Sequence, residues 1–439
     1  LLDLYILTFN CARAIVNPPL FAPHVFRALP KDVPLPDMVM FSLQEIAPIS
    51  YSFLGGSYLT PYFEQLVASL NIAAKIRDGG GTTYKQILTR NLGMTAIMLF
   101  AREPVAERIQ WIQTAGTGVG FWEMGNKGAV GIRLGYKQDD ESSEEVELTL
   151  VAAHLAPMEN ALLRRNQDWK NIVRRLIFAN EDNGEAQRGR TRTSSSEDAD
   201  EREPLVPESR LRGREVSPCP LYSTRGHVFF AGDLNYRTSI ISPGPDAYLS
   251  FPQPDASSED PNHMSKLFEK DQLSQVMRDG EALQGFSEMP VTFPPTYKYE
   301  HPEGAPEPSA SNLLGLEEYR EPNRWNWAKH RFPSWCDRIL YLPSALLQPQ
   351  QYTALPLQLT SDHRPVALSV RIELRVPQVA DNDIRKHPPF NPDPEWRYRR
   401  QSARRFEIIV GFVAYLVYTR EGNGIAVGVL GGLLGCAYL

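Results

Sequence analysis

The sequence predicts an α/β protein in which two packed sheets carry helices on their outer faces. Strand-like apolar runs alternate irregularly with helical segments through about the first 375 residues, and several of these runs end in polar residues. The chain has 439 residues and is 42% apolar, which suffices for a substantial core. We therefore expect one α/β sandwich, followed by a C-terminal region of different composition.

The predicted elements follow from the period of the apolar residues. Runs 4–9 and 38–43 have strand character and end in Asn10 and in Gln44-Glu45. Segment 62–76 has helical periodicity, and 160–179 predicts an amphipathic helix. Further strands of an antiparallel sheet are predicted over 93–101, 128–134 and 146–154.

One segment inside the predicted sandwich does not fit it. Residues 181–215 contain ten acidic and seven basic side chains, with very few apolar ones. Such a segment cannot bury enough apolar surface to offset the entropy lost on ordering. We expect a disordered surface insertion here, within a catalytic domain that spans 1–375.

The composition changes twice near the C-terminus. Residues 376–405 are rich in proline and then in arginine, and predict a basic linker. Residues 406–439 form two apolar arms of 14 and 15 residues around a polar break, and Glu407 is the one charge in the first arm. Each arm is shorter than the roughly 20 residues that span a bilayer. Three arrangements stay open: a hairpin in one leaflet, a helix that spans a thinned membrane, and helices packed in a soluble core. The basic residues before the arms and the glycines within the second arm favour a membrane.

Charge and cysteine content narrow the function classes. The net charge of −6 argues against a dedicated nucleic-acid binder, which usually carries a basic excess. The four cysteines are widely spaced, with no pair at metal-ligand spacing, and predict reduced thiols in a cytosolic setting. The first nine residues predict a strand rather than a signal peptide.

Polar residues at the ends of predicted strands are the candidate catalytic groups. Asp233 and Asn235 follow the run Phe229-Phe230-Ala231, and both would point the same way if the strand persisted. Asp362 and His363 precede the alternating run 366–372. Asp233 and Asn235 could orient and deprotonate a water molecule.

The remaining candidates would bind a cation, bind phosphate or orient a neighbour. Glu45 is the better candidate for a hard cation such as Mg²⁺, which uses oxygen ligands. His154 and His363 could bind phosphate oxygens, and Asp362 could supply a further metal ligand. Asp337 could hold His363 in one tautomer. Together these residues predict a metal-dependent phosphoesterase.

With these segments in this order, the chain resembles the inositol polyphosphate 5-phosphatases of the endonuclease/exonuclease/phosphatase superfamily. The resemblance covers residues 4 to 372. It is carried by the segments Thr8-Phe9-Asn10, Leu43-Gln44-Glu45-Ile46, Gly125-Asn126-Lys127-Gly128-Ala129-Val130, His154-Leu155-Ala156, Arg164-Arg165-Asn166-Gln167-Asp168, Gly232-Asp233-Leu234-Asn235-Tyr236-Arg237, Phe293-Pro294-Pro295-Thr296-Tyr297-Lys298-Tyr299, Trp335-Cys336-Asp337-Arg338 and Ser361-Asp362-His363-Arg364-Pro365-Val366. Phe9 stands where many members have Trp.

The resemblance implies a four-layer α/β sandwich, as in DNase I, with the site at the open edge of two sheets. It implies Mg²⁺-dependent hydrolysis of the 5-phosphate of phosphoinositides, most of all phosphatidylinositol 4,5-bisphosphate. By this resemblance Glu45 binds Mg²⁺, with Asn10 and Asp362 nearby. Asp233 activates water, and Asn235 positions the phosphate. His154 and His363 stabilise the negative charge that builds on the phosphoryl oxygens, and Asp337 orients His363.

The same resemblance assigns a substrate-binding set. Tyr297, Lys298, Lys329 and Arg331 match positions that grip the 4-phosphate beside the scissile phosphate. Asn126 and Lys127 are expected to meet another part of the substrate. The apolar tail resembles that of a fungal subgroup found on the endoplasmic reticulum. We thus expect a monomer on the cytosolic face of that membrane, bound through its tail and basic linker, with no nucleic-acid partner.

Three other functions remain open. An abasic-site endonuclease shares the Asn, Glu, Asp-Asn and Asp-His framework, but it offers no reason for the Tyr297 to Arg331 cluster. A sphingomyelinase would also act at membranes. A catalytically inactive membrane scaffold would lack a member of the catalytic set, and none is missing from this sequence.

Overall fold

The computed structural model describes residues 1–30, 32–137, 144–179, 219–300 and 321–428. The insertion predicted at 181–215 and the end of the apolar tail, 429–439, lie outside the described residues. Cys11, Cys219 and Cys336 are free thiols.

Within the described ranges, the strands form two sheets. The first has six strands in the order β10-β11-β1-β2-β4-β3, and the second has five in the order β5-β6-β7-β8-β9. Most neighbours are antiparallel, but β1–β2 and β7–β8 are parallel, so both sheets are mixed. The bounds are β1 Leu2–Asn10, β2 Met38–Gln44, β3 Tyr84–Leu92, β4 Thr95–Arg102, β5 Ile109–Gly118, β6 Gly128–Tyr136, β7 Val146–His154, β8 Gly226–Asp233, β9 Asp337–Tyr341, β10 Leu347–Ala354 and β11 Val366–Ile372.

Helices cover the outer faces of both sheets. Residues of α1 and α3 pack on the six-stranded sheet, and residues of α5 and α7 pack on the five-stranded one. The bounds are α1 Pro18–Val25, α2 Ile49–Leu54, α3 Thr60–Asp78, α4 Glu103–Ala106, α5 Leu162–Arg175, α6 Met264–Phe268, α7 Gln272–Arg278 and α8 Trp396–Tyr418. The predicted four-layer sandwich is confirmed.

Strand alternation builds the layers. In β1, Leu4 and Ile6 enter the core between the sheets, whereas Tyr5 and Leu7 pack under the helices. In β8, Phe229 belongs to the core between the sheets and its neighbours belong to the helical side. Both faces of these strands are buried, which explains why the sequence shows nearly continuous apolar runs instead of clean alternation.

Two predicted elements end earlier than the sequence indicated. The strand before Asn235 stops at Asp233. Helix α5 stops at Arg175 rather than at 179, because Phe178 pairs with Cys219 and Ala179 with Thr114 in isolated β-bridges.

The C-terminal region differs most from the prediction. Helix α8 begins at Trp396, inside the segment predicted as a linker, and continues to Tyr418 inside the predicted apolar tail. It packs on α2 and on the 3₁₀ turn Phe121–Glu123. Among the described residues, no helix is both long and apolar enough to cross a bilayer.

Candidate active site

The last inward-facing residue of several strands is polar, and these residues meet at one edge of the two sheets. The alternation that places Ile6 between the sheets also directs Asn10 inward, at the end of β1. The same parity places His154 at the end of β7, and Asp233 at the end of β8. The polar site therefore continues the core between the sheets to its open edge.

Strand register holds three of these groups side by side. His154 is paired with Asp233 across β7 and β8, and Asp233 is paired with Asp337 across β8 and β9. The Nε2 atom of His154 lies 3.2 Å from Asp233 Oδ2. From the opposite sheet, Asn10 Nδ2 donates to the same oxygen at 3.0 Å. The Asp233 carboxylate is thus fixed from both sheets.

Glu45 reaches the site through a local change in backbone conformation. Its position after β2 would direct it toward the helical layer, because Leu43 packs there. The φ of Glu45 is 46°, in the left-handed region that non-glycine residues rarely adopt. Its carboxylate lies 3.1 Å from Arg13 Nε and 3.8 Å from Lys127 Nζ.

Asn235 occupies the site by a route that the sequence did not predict. The strand does not persist, and Asn235 has a φ of 57°. Its backbone N–H donates to Asp233 Oδ1 at 3.1 Å, and its Nδ2 donates to the carbonyl of Leu155 at 3.1 Å. A tight turn, instead of strand alternation, places this amide beside Asp233.

Asp337, which was predicted to hold His363 in one tautomer, forms a buried ion pair with it. Their Oδ2 and Nδ1 atoms are 2.8 Å apart, and Thr296 donates to the same carboxylate oxygen at 2.7 Å. Burial raises the pKa of Asp337 to about 6, against the lowering effect of His363. Burial lowers the pKa of His363, but Asp337 and Asp233 outweigh it and raise the value to about 9. His363 is therefore a cation at neutral pH.

Asp233 stays ionised although it is buried. Burial raises its pKa, but the hydrogen bond from His154 and the charges of His363 and Lys127 hold the pKa well below the usual range. Burial, followed by the charge of Lys127, lowers the pKa of His154, so this ring is neutral. The two histidines at the site thus differ in charge because of their neighbours.

These groups line one cleft of about 380 Å³. Its walls carry two lysines, two arginines and the cationic His363, together with the acidic and amide groups described above. The lining residues with polar side chains are Asn10, Arg13, Glu45, Lys127, His154, Asp233, Asn235, Arg237, Tyr297, Lys298, Thr360, Ser361, Asp362 and His363. Such a cleft suits a small ligand with several negative charges.

Tyr297 and Lys298 line the cleft beside His363 and Asp362. The Tyr297 ring lies 4.6 Å from the His363 ring, and Lys298 Nζ is ion-paired with Asp362. Burial lowers the pKa of Lys298, but the hydrogen bond and charge of Asp362 raise it above its usual value. Lys298 therefore places a positive charge in the cleft beside Asp362.

Three residues of the predicted substrate-binding set do not line this cleft. Lys329 is exposed, with its Nζ 4.5 Å from the centre of the Tyr248 ring. Arg331 Nη1 lies 3.6 Å from Glu159. Asn126 lies between Gly125 and Lys127, but only Lys127 reaches the cleft.

Sequence reasoning missed two cations of the cleft. Arg237 is buried and lies 4.4 Å from the centre of the Tyr297 ring, where it supports a residue of the predicted set. It ends the same polar run as Asp233, which was the available signal. Arg13 reaches Glu45 through left-handed backbone at Ala12 and Arg13, for which the sequence carries no clear signal.

The predicted metal ligands offer oxygen atoms, as a hard cation requires. Glu45 has a partly exposed carboxylate in the cleft, and its described ion pairs are with the two cations Arg13 and Lys127. Asp233, Asp337 and His363 also offer ligand atoms within 4.8 Å of one another. Because Asp337 and His363 are hydrogen-bonded to each other at 2.8 Å, this trio is better suited to holding charge than to holding a metal. The Glu45 side of the cleft fits Mg²⁺ chemistry.

Comparison with known proteins places this geometry in a family. The profile of the endonuclease/exonuclease/phosphatase family 2 matches residues 7–369. The chain is 29% identical over 341 residues to inositol-1,4,5-trisphosphate 5-phosphatase 1 of Schizosaccharomyces pombe. It is 26% identical over 340 residues to the polyphosphatidylinositol phosphatase INP53 of Saccharomyces cerevisiae. Each match covers 77% of this chain and 24% of the relative, so the chain spans about a quarter of the length of these relatives.

A solved structure has the same fold. The inositol polyphosphate 5-phosphatase domain of SPsynaptojanin, in complex with inositol (1,4)-bisphosphate and calcium ion, matches with a TM-score of 0.55 and 23% sequence identity. The match covers 93% of this chain and 92% of that one. The resemblance inferred from the sequence motifs is thereby confirmed for the family and the fold.

Proposed function

The chain belongs to the endonuclease/exonuclease/phosphatase family 2, and on this premise we propose that it hydrolyses the 5-phosphate of phosphoinositides. The preferred substrate in this proposal is phosphatidylinositol 4,5-bisphosphate, which yields phosphatidylinositol 4-phosphate. The proposal rests on the presence of Asp233, His363 and the cation Lys298 in one cleft. Asp233 and His363 can act on one phosphate while Lys298 binds the adjacent phosphate of the same inositol ring.

The reaction is a displacement at phosphorus by water. Asp233 is ionised and fixed from both sheets, so it can orient the water and accept its proton as the bond forms. The cationic His363 can bind the phosphoryl oxygens, because Asp337 keeps its proton in place. Preorganised charge of this kind is the main contribution that a protein makes to phosphoryl transfer.

The other residues of the cleft would bind and orient. The side-chain amide of Asn235 donates one N–H to the carbonyl of Leu155 and lines the same cleft as Asp233, where its second N–H can hold a phosphate oxygen. Glu45 and Asn10 would hold Mg²⁺, with Asp362 nearby. A bound Mg²⁺ would polarise the phosphoryl group and neutralise charge on the leaving inositol oxygen.

Substrate selection in this proposal rests on Tyr297 and Lys298. A charged amine and a phenol next to the scissile phosphate suit the vicinal 4-phosphate. A nuclease or a sphingomyelinase has no vicinal phosphate to bind, so neither explains Lys298 beside Asp362.

The test is phosphate release by the purified full chain from a panel of phosphoinositides and soluble inositol phosphates, with Mg²⁺ and with a chelator. We expect Mg²⁺-dependent release from phosphatidylinositol 4,5-bisphosphate and little from phosphatidylinositol 4-phosphate. The variant Asp233→Asn should be inactive, and Asp246→Asn, at an exposed position, should retain full activity. Cleavage of abasic DNA or sphingomyelin without release from the panel would contradict the proposal.

We also propose that the C-terminal region binds the cytosolic face of an intracellular membrane, the endoplasmic reticulum first among them. Helix α8 exposes a set of large apolar side chains, and several arginines lie near its N-terminal end. The exposed large apolar residues of α8 are Tyr398, Phe406, Ile408, Ile409, Phe412, Val413, Val417 and Tyr418.

Flotation with vesicles containing anionic lipid tests the membrane proposal. Replacing Ile409, Phe412 and Val413 together by Ser should release the chain from the vesicles. These residues are exposed, so the folded body should be retained, and equal flotation of both proteins would overturn the proposal.

A further inference from the structure

Glu407 is a buried carboxylate in an otherwise apolar stretch of α8. It is fully buried, although the helix around it exposes apolar residues on its other side. A buried carboxylate is stable only when it is paired and hydrogen-bonded. Its position therefore needs an explanation beyond solubility or membrane contact.

The partners of Glu407 lie in two parts of the chain. Arg400 Nη1 lies 3.0 Å from its Oε1, and Arg404 Nη1 lies 3.2 Å from its Oε2, both within the same helix. The third partner is 282 residues away, where the backbone N–H of Gly125 donates to Oε1 at 2.9 Å. The carboxylate thus joins the C-terminal helix to the loop between β5 and β6.

Gly125 is a fixed point in that loop. Its carbonyl accepts from the N–H of Met94 at 2.9 Å, so both of its backbone groups are bonded. A Cβ atom at Gly125 would lie 2.9 Å from the backbone of Leu92 and Gly93, so no side chain fits. Two residues later Lys127 enters the cleft, near Glu45 and in contact with the His154 ring. Movement of Gly125 would displace this lysine.

A second set of contacts holds the start of the same loop. Glu123 accepts from Arg175 at 2.8 Å and from Arg399 of α8 at 3.2 Å. The Trp122 ring packs at a tilt against Phe406 of α8, with 5.1 Å between ring centres. Trp122 and Glu123 both have positive φ values, 52° and 59°, a conformation that persists only when surrounding contacts enforce it.

Helix α8 also supports the segment that follows Glu45. Arg404 donates to the carbonyls of Phe53 and Leu54 at the end of α2. Gly411 allows close approach there, because a Cβ atom would lie 2.8 Å from Phe53. One helix therefore contacts both of the chain segments that carry Lys127 and Glu45 into the cleft.

We propose that Glu407 is a positioning residue for Lys127, and that α8 is part of the catalytic unit rather than only a membrane attachment. The inference rests on the proposed phosphatase activity for its kinetic consequence, but its structural consequence is independent of any substrate. A chain that ends before Glu407 keeps every lining residue of the cleft and loses the support of one of them.

The test compares Glu407→Ala and Glu407→Gln with Glu421→Ala, an exposed glutamate just beyond the helix. The first readout is amide exchange at Gly125, followed by mass spectrometry of the full chain. Loss of a hydrogen bond to a carboxylate should speed this exchange about tenfold or more in Glu407→Ala. Glu407→Gln keeps an acceptor oxygen, so its exchange rate at Gly125 should lie between those of the wild type and Glu407→Ala. The rate in Glu421→Ala should match that of the wild type.

The second readout is kcat/KM with soluble inositol 1,4,5-trisphosphate, a substrate that needs no membrane. We expect about a tenfold loss in Glu407→Ala, and a smaller loss in Glu407→Gln. In a Lys127→Ala background the same Glu407→Ala change should have almost no further effect, because Glu407 acts through that lysine. If Glu407→Ala instead destabilised the whole protein, it would lower kcat/KM by the same factor with Lys127 present and with Lys127→Ala, and it would also lower Tm.

The outcomes separate this inference from the proposed function. Unchanged exchange at Gly125 in both Glu407 variants overturns the inference, whatever the substrate. Two results overturn the role of Glu407 in positioning Lys127. One is faster exchange at Gly125 with unchanged kcat/KM, and the other is an equal loss of kcat/KM when Glu407→Ala is added to Lys127→Ala. If the wild type releases no phosphate from any inositol compound, the proposed function fails and the exchange result alone decides whether Glu407 holds the loop. Should Glu407→Ala not fold, Glu407→Gln carries the same comparisons.

Discussion

The two sides of the cleft are built differently. On one side His154, Asp233 and Asp337 stand at paired positions of three adjacent strands, and all are buried. On the other side Lys127 and Lys298 come from loops and keep part of their side chains exposed. In the proposed function, this difference means that Asp233, which activates water, is held by the sheet, whereas Lys127 and Lys298, which bind the substrate, are held by contacts of their loops.

The largest effect should come from the strand side. Asp233→Asn removes the charge that orients water but keeps the size of the side chain, so we expect kcat to fall by about 10³ to 10⁴. Circular dichroism should show an intact fold, and kcat for phosphatidylinositol 4,5-bisphosphate measures the loss. A loss of less than about tenfold would show that the sheet side does not dominate the chemistry.

The buried pair should control the alkaline limb of the pH profile. His363 is protonated below its raised pKa of about 9, so kcat/KM should fall as the pH rises through that value. In Asp337→Asn the burial of His363 lowers its pKa without the opposing carboxylate, and the limb should move to lower pH by about one to three pH units. The rate below the new limb should fall less than in Asp233→Asn. If the alkaline limb of the Asp337→Asn profile stayed near pH 9, the limb would have to arise from a group other than His363.

The two sides of the cleft also differ in how well the sequence predicts them. Strand ends are local patterns, so Asn10, His154 and Asp233 could be identified from polar residues that end apolar runs. Asn235 was identified for the wrong reason, since its amide is placed by a turn with a φ of 57°. Such turns have no strong sequence signal when the residue is not glycine.

The contacts of the C-terminal helix with the rest of the chain were not predicted from the sequence. Glu407 meets Gly125 across 282 residues, and in the sequence it is only a lone acid in an apolar run. The linker prediction failed to include a helix starting at Trp396, because proline content upstream suggested an extended chain. Composition describes a segment, but it does not specify where that segment docks.

The loop side should show a smaller and more selective effect. Lys298→Ala should reduce kcat/KM for phosphatidylinositol 4,5-bisphosphate by about 10- to 100-fold, the range of a lost charge-assisted hydrogen bond. Phosphatidylinositol 5-phosphate, which has no 4-phosphate, should be affected much less. Lys266→Ala, at an exposed lysine of α6, is the matched control and should change neither substrate. Equal losses for both lipids would remove Lys298 from substrate selection.

The smallest effect tests how far the substrate-binding side extends. Lys329 is exposed and contacts Tyr248 through a cation–π interaction, so Lys329→Ala should change kcat/KM by less than about fivefold. Arg331→Ala should behave similarly, because Arg331 is paired with Glu159 outside the cleft. The ratio of the two lipid substrates, measured for each variant beside Lys298→Ala, decides the point. If Lys329→Ala lost as much selectivity as Lys298→Ala, the bound substrate would have to draw Lys329 away from Tyr248, and the loop side would be assembled only when the substrate is present.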